Sequence, residues 1–269
     1  MKVVAASIVL NESQYIGANL RQHYDFVDRW IIVEGADRRY PSDRVTADGL
    51  STDDTAKVVA AFDDPLRKIR FVQHGWAADK SELRNRYADL IDEDCVVIVF
   101  DADEFLSHEH LAWLIRQCET LPRPGTVRIP HVHYWKSAKQ VIVGGYYDVP
   151  HDRAYRWKAG CRYGGNHNHP EFPDGSLLRD SCCVKFERQF GCGRQDGKWV
   201  YIQTEPHWQH FGFCKGAEHV ADKNAYYVNR GEAVTRPETT RDRAAWFGEL
   251  PEECRVYDWV GELPEVFRG

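Results

Sequence analysis

Asp101, Asp103 and Glu104 crowd three carboxylates into the stretch VVIVFDADEFLS, residues 96–107, directly after an apolar run. Like charges this close repel one another, so we expect a cation or hydrogen-bond donor among them. Two aspartates at i and i+2 suit Mg²⁺ or Mn²⁺, which prefer hard oxygen ligands. The alternative is that these acids and Ser107 only begin the next helix. Because the acids follow an apolar strand pattern, we favour the metal site.

The apolar periodicity of the first 120 residues predicts the strands and helices that position these acids. Continuous apolar runs predict strands at residues 2–10, 29–35, 68–74 and 95–100. Helical spacing predicts helices within residues 13–24, 51–62, 79–91 and 108–118. This alternation predicts an α/β fold with a mostly parallel sheet flanked by helices. Ligands of such sheets bind beyond the carboxyl ends of the strands, where the acids stand.

The pattern changes after residue 122. Short antiparallel strands and turns are expected there, and glycine, aromatic residues and histidine are dense from 131 to 213. We expect a single domain over 1–269, with an α/β half at 1–122 and an antiparallel, loop-rich half at 123–232. A C-terminal helix or tail is expected at 233–269.

Composition indicates an ordinary soluble globular protein of 269 residues, with 43% hydrophobic and 28% charged residues. The net charge of -6 argues against nucleic-acid binding by bulk electrostatics. Neither a signal peptide nor a membrane span is evident, so a cytoplasmic protein is expected. The eight cysteines contain no CxxC pair and are expected to be free thiols.

Several segments together resemble the nucleotide-sugar half of GT-A fold glycosyltransferases, over roughly the first 115 residues. The resemblance is to the bacterial family-two type whose motifs run NE, STDGT and DADEF. The segment ending in Glu34 is also similar to the bisecting N-acetylglucosaminyltransferase type. The matching segments are IVLNES, VDRWIIVEG, GLSTDDTAKVV, RNRYADL and VIVFDADEFLS.

This resemblance implies a Rossmann-like GT-A sheet that binds a nucleotide diphosphate sugar, with a UDP-sugar favoured. It places the nucleoside against Asn11, Glu12 and Glu34, with Asp53 as a helper. The chain departs from the family in one place: Glu34 replaces an aspartate, and a loop over residues 36–50 separates it from the STDDT segment.

A basic residue facing the diphosphate is expected on the helix at residues 79–91, also by resemblance. Lys80 and Arg84 are spaced to share one face of this helix, whereas Arg86 points elsewhere. Arg84 is the residue we expect to face the diphosphate. The alternative is that these charges form a solvated helix face.

The segment PHWQHFGFCKGAEHVADKNAYYVNRGE, residues 206–232, is similar to a later family pattern in which a histidine completes the metal site. His210 matches that histidine, so the resemblance implies that Asp101, Asp103 and His210 hold Mn²⁺ or Mg²⁺. The alternative for His210 is a histidine whose hydrogen bonds are satisfied in an aromatic core.

The resemblance also suggests a catalytic base, because NHPEF is similar to a stretch on the acceptor side of the family's cleft. Glu171 is then the carboxylate that takes the acceptor's proton in an inverting displacement. Asp148 and Asp152 are competing candidates. A surface-loop acid is the alternative for Glu171.

A rival interpretation starts from His131 and His133, which lie on one face of a predicted strand. Together with His167, His169 and Glu171 they could form a histidine–carboxylate metal site of the oxygenase type. A parallel α/β first half has no place in a small β-barrel enzyme, so this interpretation ranks behind.

The sequence therefore predicts a metal-dependent glycosyltransferase, with Arg84 and Asp103 assisting departure of the diphosphate. The acceptor is expected to be a saccharide or another hydroxyl compound, and a nucleic-acid acceptor stays open. A catalytically inactive carbohydrate-binding GT-A protein is a further alternative. A nucleotidyltransferase is disfavoured because no glycine-rich basic loop follows the first strand.

Overall fold

The computed structural model describes residues 1–144, 151–164, 168–186, 190–195, 198–203, 206–215, 226, 229 and 254–267. For residues 190–195, 198–199 and 201–203 the structure describes the backbone strands but not the side chains. Asp148 and His167 lie outside the described residues.

Sixteen strands and five α-helices are formed by the described residues. The strands are β1 Val3–Val9, β2 Arg29–Asp37, β3 Ile69–Ala77, β4 Cys95–Val99, β5 Glu104–Phe105, β6 Gly125–Arg128, β7 His131–Trp135, β8 Ser137–Val143, β9 Ala154–Trp157, β10 Arg162–Tyr163, β11 Pro170–Glu171, β12 Cys183–Lys185, β13 Phe190–Gln195, β14 Lys198–Gln203, β15 Trp208–Phe213 and β16 Arg255–Trp259. The helices are α1 Ile16–His23, α2 Thr55–Ala60, α3 Lys80–Ala88, α4 His108–Thr120 and α5 Leu178–Ser181.

The first sheet has the strand order β12-β6-β9-β4-β1-β2-β3. Strands β4, β1, β2 and β3 run parallel to one another, as the alternating pattern predicted. Strand β9 runs antiparallel between β4 and β6. The structure therefore confirms an α/β fold with a mostly parallel sheet flanked by helices.

Helices cover both faces of this sheet because β1 is apolar on both of its faces. Ala5 packs in one core with Leu20 of α1 and Leu111 of α4. Ala6 packs in the opposite core with Leu83 of α3. Burying both faces leaves the ends of the strands as the places where polar side chains meet.

The second sheet has the order β13-β14-β16-β8-β7-β15-β5, and β10 pairs separately with β11. After β4 the chain turns at Asp101–Ala102. Strand β5 begins two residues later and pairs with β15. The acidic stretch therefore lies where the chain passes from the first sheet to the second. Strands β6, β9 and β12, from beyond residue 122, complete the first sheet.

Two local expectations change. The helix predicted within residues 51–62 covers only Thr55–Ala60, because Asn11 accepts hydrogen bonds from Thr52 and holds it outside the helix. In the predicted C-terminal helix or tail, Arg255–Trp259 is a strand that pairs with β8 and β14. Every cysteine whose side chain is described is a free thiol.

Candidate functional site

The site lies at the carboxyl edge of the first sheet. Strands β1 and β4 are parallel, so Glu12 and Asp101 follow them at the same edge. Strand β9 is antiparallel to β4, so Arg153, just before β9, starts from that edge too. Lys215 reaches it from the end of β15. Topology thus brings together residues that are far apart in the sequence.

Arg153 neutralises the first part of the acidic stretch. Its guanidinium donates to Asp101 Oδ2 at 2.5 Å and to the two oxygens of Glu104 at 2.7 and 2.8 Å. Glu104 and Arg153 are buried. Partial burial raises the pKa of Asp101, but Arg153 and then Arg84 outweigh it and lower that pKa to about 2. Asp101 is therefore ionised and held by a fixed cation.

Lys215 neutralises the second part. Its Nζ lies 2.6 Å from Asp103 Oδ2 and 2.7 and 2.8 Å from the oxygens of Glu12. Only 4% of the Lys215 side chain is exposed. Burial lowers the pKa of this ammonium, but Asp103 and Glu12 outweigh it and raise the pKa above its ordinary value. Lys215 is thus a buried, charged lysine shared by two carboxylates.

His210 lies beside this pair in β15. Its Nδ1 is 2.8 Å from Nδ1 of His133, and its Nε2 is 3.8 Å from Asp103 Oδ1. Gly212 is needed there, because a Cβ at that position would come within 2.5 Å of the His210 ring. Gly212 therefore leaves space for the His210 ring beside Asp103.

Arg84 is a buried cation for which the described residues include no ion pair. It lies on α3 and is 3% exposed, yet its Nε and Nη1 have no hydrogen-bond partner among the described residues. Its Cζ lies 5.4 Å from the ring centroid of Tyr163. It is close enough to Asp101 to help lower the pKa of that acid. Burying an unpaired charge is unfavourable, so this guanidinium is suited to an anionic ligand.

The two other basic residues of α3 have different surroundings. The charge of Lys80, like that of Arg84, contributes to lowering the pKa of Asp101. Arg86 points elsewhere and donates from Nε to His74 at 3.0 Å.

Three residues predicted to bind the nucleoside hold the loop after β2 to the strand ends. Asn11, with φ of 54°, accepts from the backbone of Thr52 at 2.9 Å. Glu34 is buried and accepts from the Ser51 backbone at 3.2 Å. Asp53 accepts from the Ser13 backbone at 2.9 Å. Their role toward a nucleoside remains a prediction.

Glu171 lies in the β10–β11 hairpin, where its carboxylate covers Gly164. Among the described residues, no hydrogen bond or ion pair links it to the acidic cluster. Its competitor Asp152 is buried between Nε of Arg128 at 2.8 Å and Nδ1 of His169 at 2.6 Å. The identity of the base stays a prediction.

The rival histidine site is divided between two places. The rings of His131 and His133 stack with centroids 5.8 Å apart, and His131 Nε2 lies 3.5 Å from Glu104. His169 is instead bonded to Asp152, and Glu171 belongs to the hairpin. Within the described part of the chain, no group of three or more His, Cys, Asp or Glu side chains is arranged to hold a metal.

The predicted ligands Asp101, Asp103 and His210 are likewise not arranged around a common metal position. The 3.8 Å between Asp103 and His210 suits two ligands of one ion, but Asp101 is turned to Arg153. Lys215 Nζ holds the other oxygen of Asp103. In this arrangement the described residues do not fit a three-ligand divalent site, and the metal roles of the three residues remain predictions.

Sequence reasoning missed Arg153, Lys215 and the partner role of Glu104. Arg153 precedes a strand that apolar periodicity did not mark, so nothing placed it at this edge. Lys215 stands five residues after His210 in HFGFCK, and only the basic charge close to that histidine could have indicated it.

No family model matches the chain, and no curated protein matches it either. Among solved structures, the crystal structure of S. aureus TarS 1–349 is similar, with 12% sequence identity and a TM-score of 0.44. The match covers 92% of this chain and 70% of that chain. At this distance the match does not inform on the reaction, so function is inferred from the side chains of this chain.

Within the described residues, no helix is both long and apolar enough to cross a membrane.

Proposed function

We propose that this protein is a GT-A type glycosyltransferase that moves a sugar from a nucleotide diphosphate sugar, with UDP favoured, to a hydroxyl acceptor. The observation that carries the proposal is Arg84, a buried guanidinium near the carboxyl edge of a parallel sheet, whose Nε and Nη1 have no hydrogen-bond partner among the described residues. A guanidinium fork suits phosphate oxygens, and this edge is where such sheets bind ligands.

In this proposal, Arg84 binds the diphosphate and stabilises the negative charge that grows as it leaves. Arg153 and Lys215 fix the carboxylates of Asp101 and Asp103 so that these acids do not swing toward the diphosphate. Asn11 and Glu34 hold the loop that would border the nucleoside.

The acceptor side is proposed from the resemblance. Glu171 is the proposed base, and the displacement is proposed to invert the anomeric carbon. Asp152 is the competitor, although both of its oxygens are already engaged by Arg128 and His169. A saccharide is the favoured acceptor. General-base assistance of this kind contributes about 10²–10⁴-fold to the rate.

Donor screening tests the proposal. UDP-glucose, UDP-galactose, UDP-N-acetylglucosamine and GDP-mannose are incubated singly with the protein, with and without Mn²⁺, and release of the nucleotide is measured. We expect turnover of at least one donor. Binding of a nucleotide without turnover, even with saccharide acceptors, would instead support the inactive carbohydrate-binding protein.

A further inference from the structure

We infer that Lys215 supplies the positive charge that the sequence assigned to a divalent ion, so that the reaction proceeds without a metal. This inference rests on the proposed function and deepens it. The crowding of acids predicted a cation among them, and the structure has one there: Lys215 Nζ lies within 2.8 Å of oxygens from both Glu12 and Asp103. These contacts join the end of β1 to the turn after β4.

Among the described residues, each of the four carboxylates of this edge already has a cation of the chain beside it. Arg153 pairs with Asp101 and Glu104, and Lys215 pairs with Glu12 and Asp103. The electrostatic reason for a divalent ion is therefore met by the chain itself.

Burial makes the Lys215 charge effective. Its side chain is 4% exposed, and an ionic interaction that is shielded from water is much stronger than one at the surface. A fixed ammonium needs no reorganisation when charge develops on the leaving group.

The step balances with the chain's own groups. The acceptor oxygen forms a bond to the anomeric carbon while the bond from that carbon to the diphosphate oxygen breaks. The electron pair of the broken bond leaves with the diphosphate. The acceptor's proton passes to a carboxylate, for which Glu171 is proposed. Lys215 remains protonated and stabilises the departing charge.

The test compares nucleotide binding and sugar transfer in excess chelator and in Mn²⁺. Calorimetry with UDP and GDP measures affinity, and nucleotide release measures turnover. We expect the wild-type protein to bind and turn over equally well, within about twofold, in both conditions. Loss of affinity and turnover in chelator, with recovery in Mn²⁺, would overturn the inference and leave the proposed function standing. No nucleotide binding in either condition would overturn both.

Lys215→Met sharpens the test, because it removes the ammonium and leaves two carboxylates facing each other. In chelator, turnover should fall about 10²–10³-fold. Mn²⁺ should then restore a large part of it, since a divalent ion can take the vacated position between the acids. Loss of turnover in chelator without any Mn²⁺ rescue would contradict the inference.

Two variants guard against loss of folding. Lys215→Arg keeps the charge and should retain more turnover than Lys215→Met in chelator. Lys57→Met removes an exposed lysine that pairs with Asp54 on α2, and should leave turnover unchanged. If circular dichroism shows that Lys215→Met is unfolded, the wild-type comparison in chelator and Mn²⁺ decides alone.

Discussion

Arg153 and Arg84 are both buried arginines at the same edge of one sheet, yet their surroundings differ. Arg153 donates to two carboxylates, whereas Arg84 has two N–H groups without a partner among the described residues. Removing one partner of a buried ion pair destabilises a fold, while a buried unpaired charge is a liability that a ligand can relieve. The comparison supports the proposal that Arg153 maintains the architecture of the edge and that Arg84 binds the ligand.

The largest effect is expected from removing the arginine that is paired with carboxylates. Arg153→Met leaves Glu104 and Asp101 without their counter-ion, and Glu104 is buried. We expect the free energy of unfolding to fall by about 3–5 kcal/mol. Urea denaturation of the variant and the wild type measures this. A loss below about 1 kcal/mol would show that Arg153 is not a structural counter-ion.

Arg84→Met removes the arginine whose Nε and Nη1 have no partner among the described residues. It should keep stability and weaken nucleotide binding. Removing an unpaired buried charge should leave the free energy of unfolding unchanged or raise it. Nucleotide affinity should fall about 10–100-fold, or about 1.4–2.8 kcal/mol, because hydrogen bonds to a charged partner are lost. Calorimetry with UDP measures the loss.

The matched control for Arg84 is Arg86→Met on the same helix. Arg86 is exposed and faces His74, so nucleotide affinity should not change. Equal losses in the two variants would remove the distinction between them.

A smaller effect is expected from Gly212→Ala. The added Cβ would lie 2.5 Å from the His210 ring and 3.1 Å from Asp103 Oδ2, so the ring must move. Overpacking of this kind destabilises by about 1–3 kcal/mol. Gly175→Ala is unsuitable as a control, because φ of Gly175 is 82° and alanine would be strained there. Ala60→Gly in α2 is the control, and it should cost about 1 kcal/mol or less. Thermal unfolding measures both.

The smallest effect is the share of the pH dependence that His23 sets, and His151, whose pKa burial also lowers to about 3, adds a share of the same sign. Burial lowers the pKa of His23 to about 3, well below its ordinary 6.5, although the Leu106 backbone opposes this. Below pH 6.5 the unfolded chain takes up a proton that the folded chain does not, so stability falls as pH decreases toward 3. The slope is about 1.4 kcal/mol per pH unit at most for this group.

Urea denaturation between pH 7 and 5 measures that slope, and His23→Gln should flatten it. Asp101 does not contribute to the slope between pH 7 and 5. Its lowered pKa changes stability only around and below its ordinary pKa of 3.8. An unchanged slope in His23→Gln would assign the pH dependence to other groups.

Local periodicity was enough to predict the first half of the fold. The apolar runs of β1, β2, β3 and β4 and the helical spacing of α1, α3 and α4 give the parallel sheet, because each pattern is contained in one short segment. The same reasoning placed Asp101 just beyond the carboxyl end of β4, whereas the role of Arg84 was expected from the resemblance and stays a prediction.

The counter-ions could not be predicted in this way. Arg153 meets Asp101 only because β9 inserts antiparallel between β4 and β6, and Lys215 meets Asp103 only because β15 pairs with β5. Both contacts depend on long-range pairing, which local patterns do not encode. The acids therefore predicted that a cation was required, but not that the chain would provide it.

A crystal structure with a UDP-sugar bound tests the central claim most directly. The account predicts that diphosphate oxygens lie within hydrogen-bond distance of Nε and Nη1 of Arg84. A diphosphate bound elsewhere, with both of those nitrogens still without a partner, would contradict it.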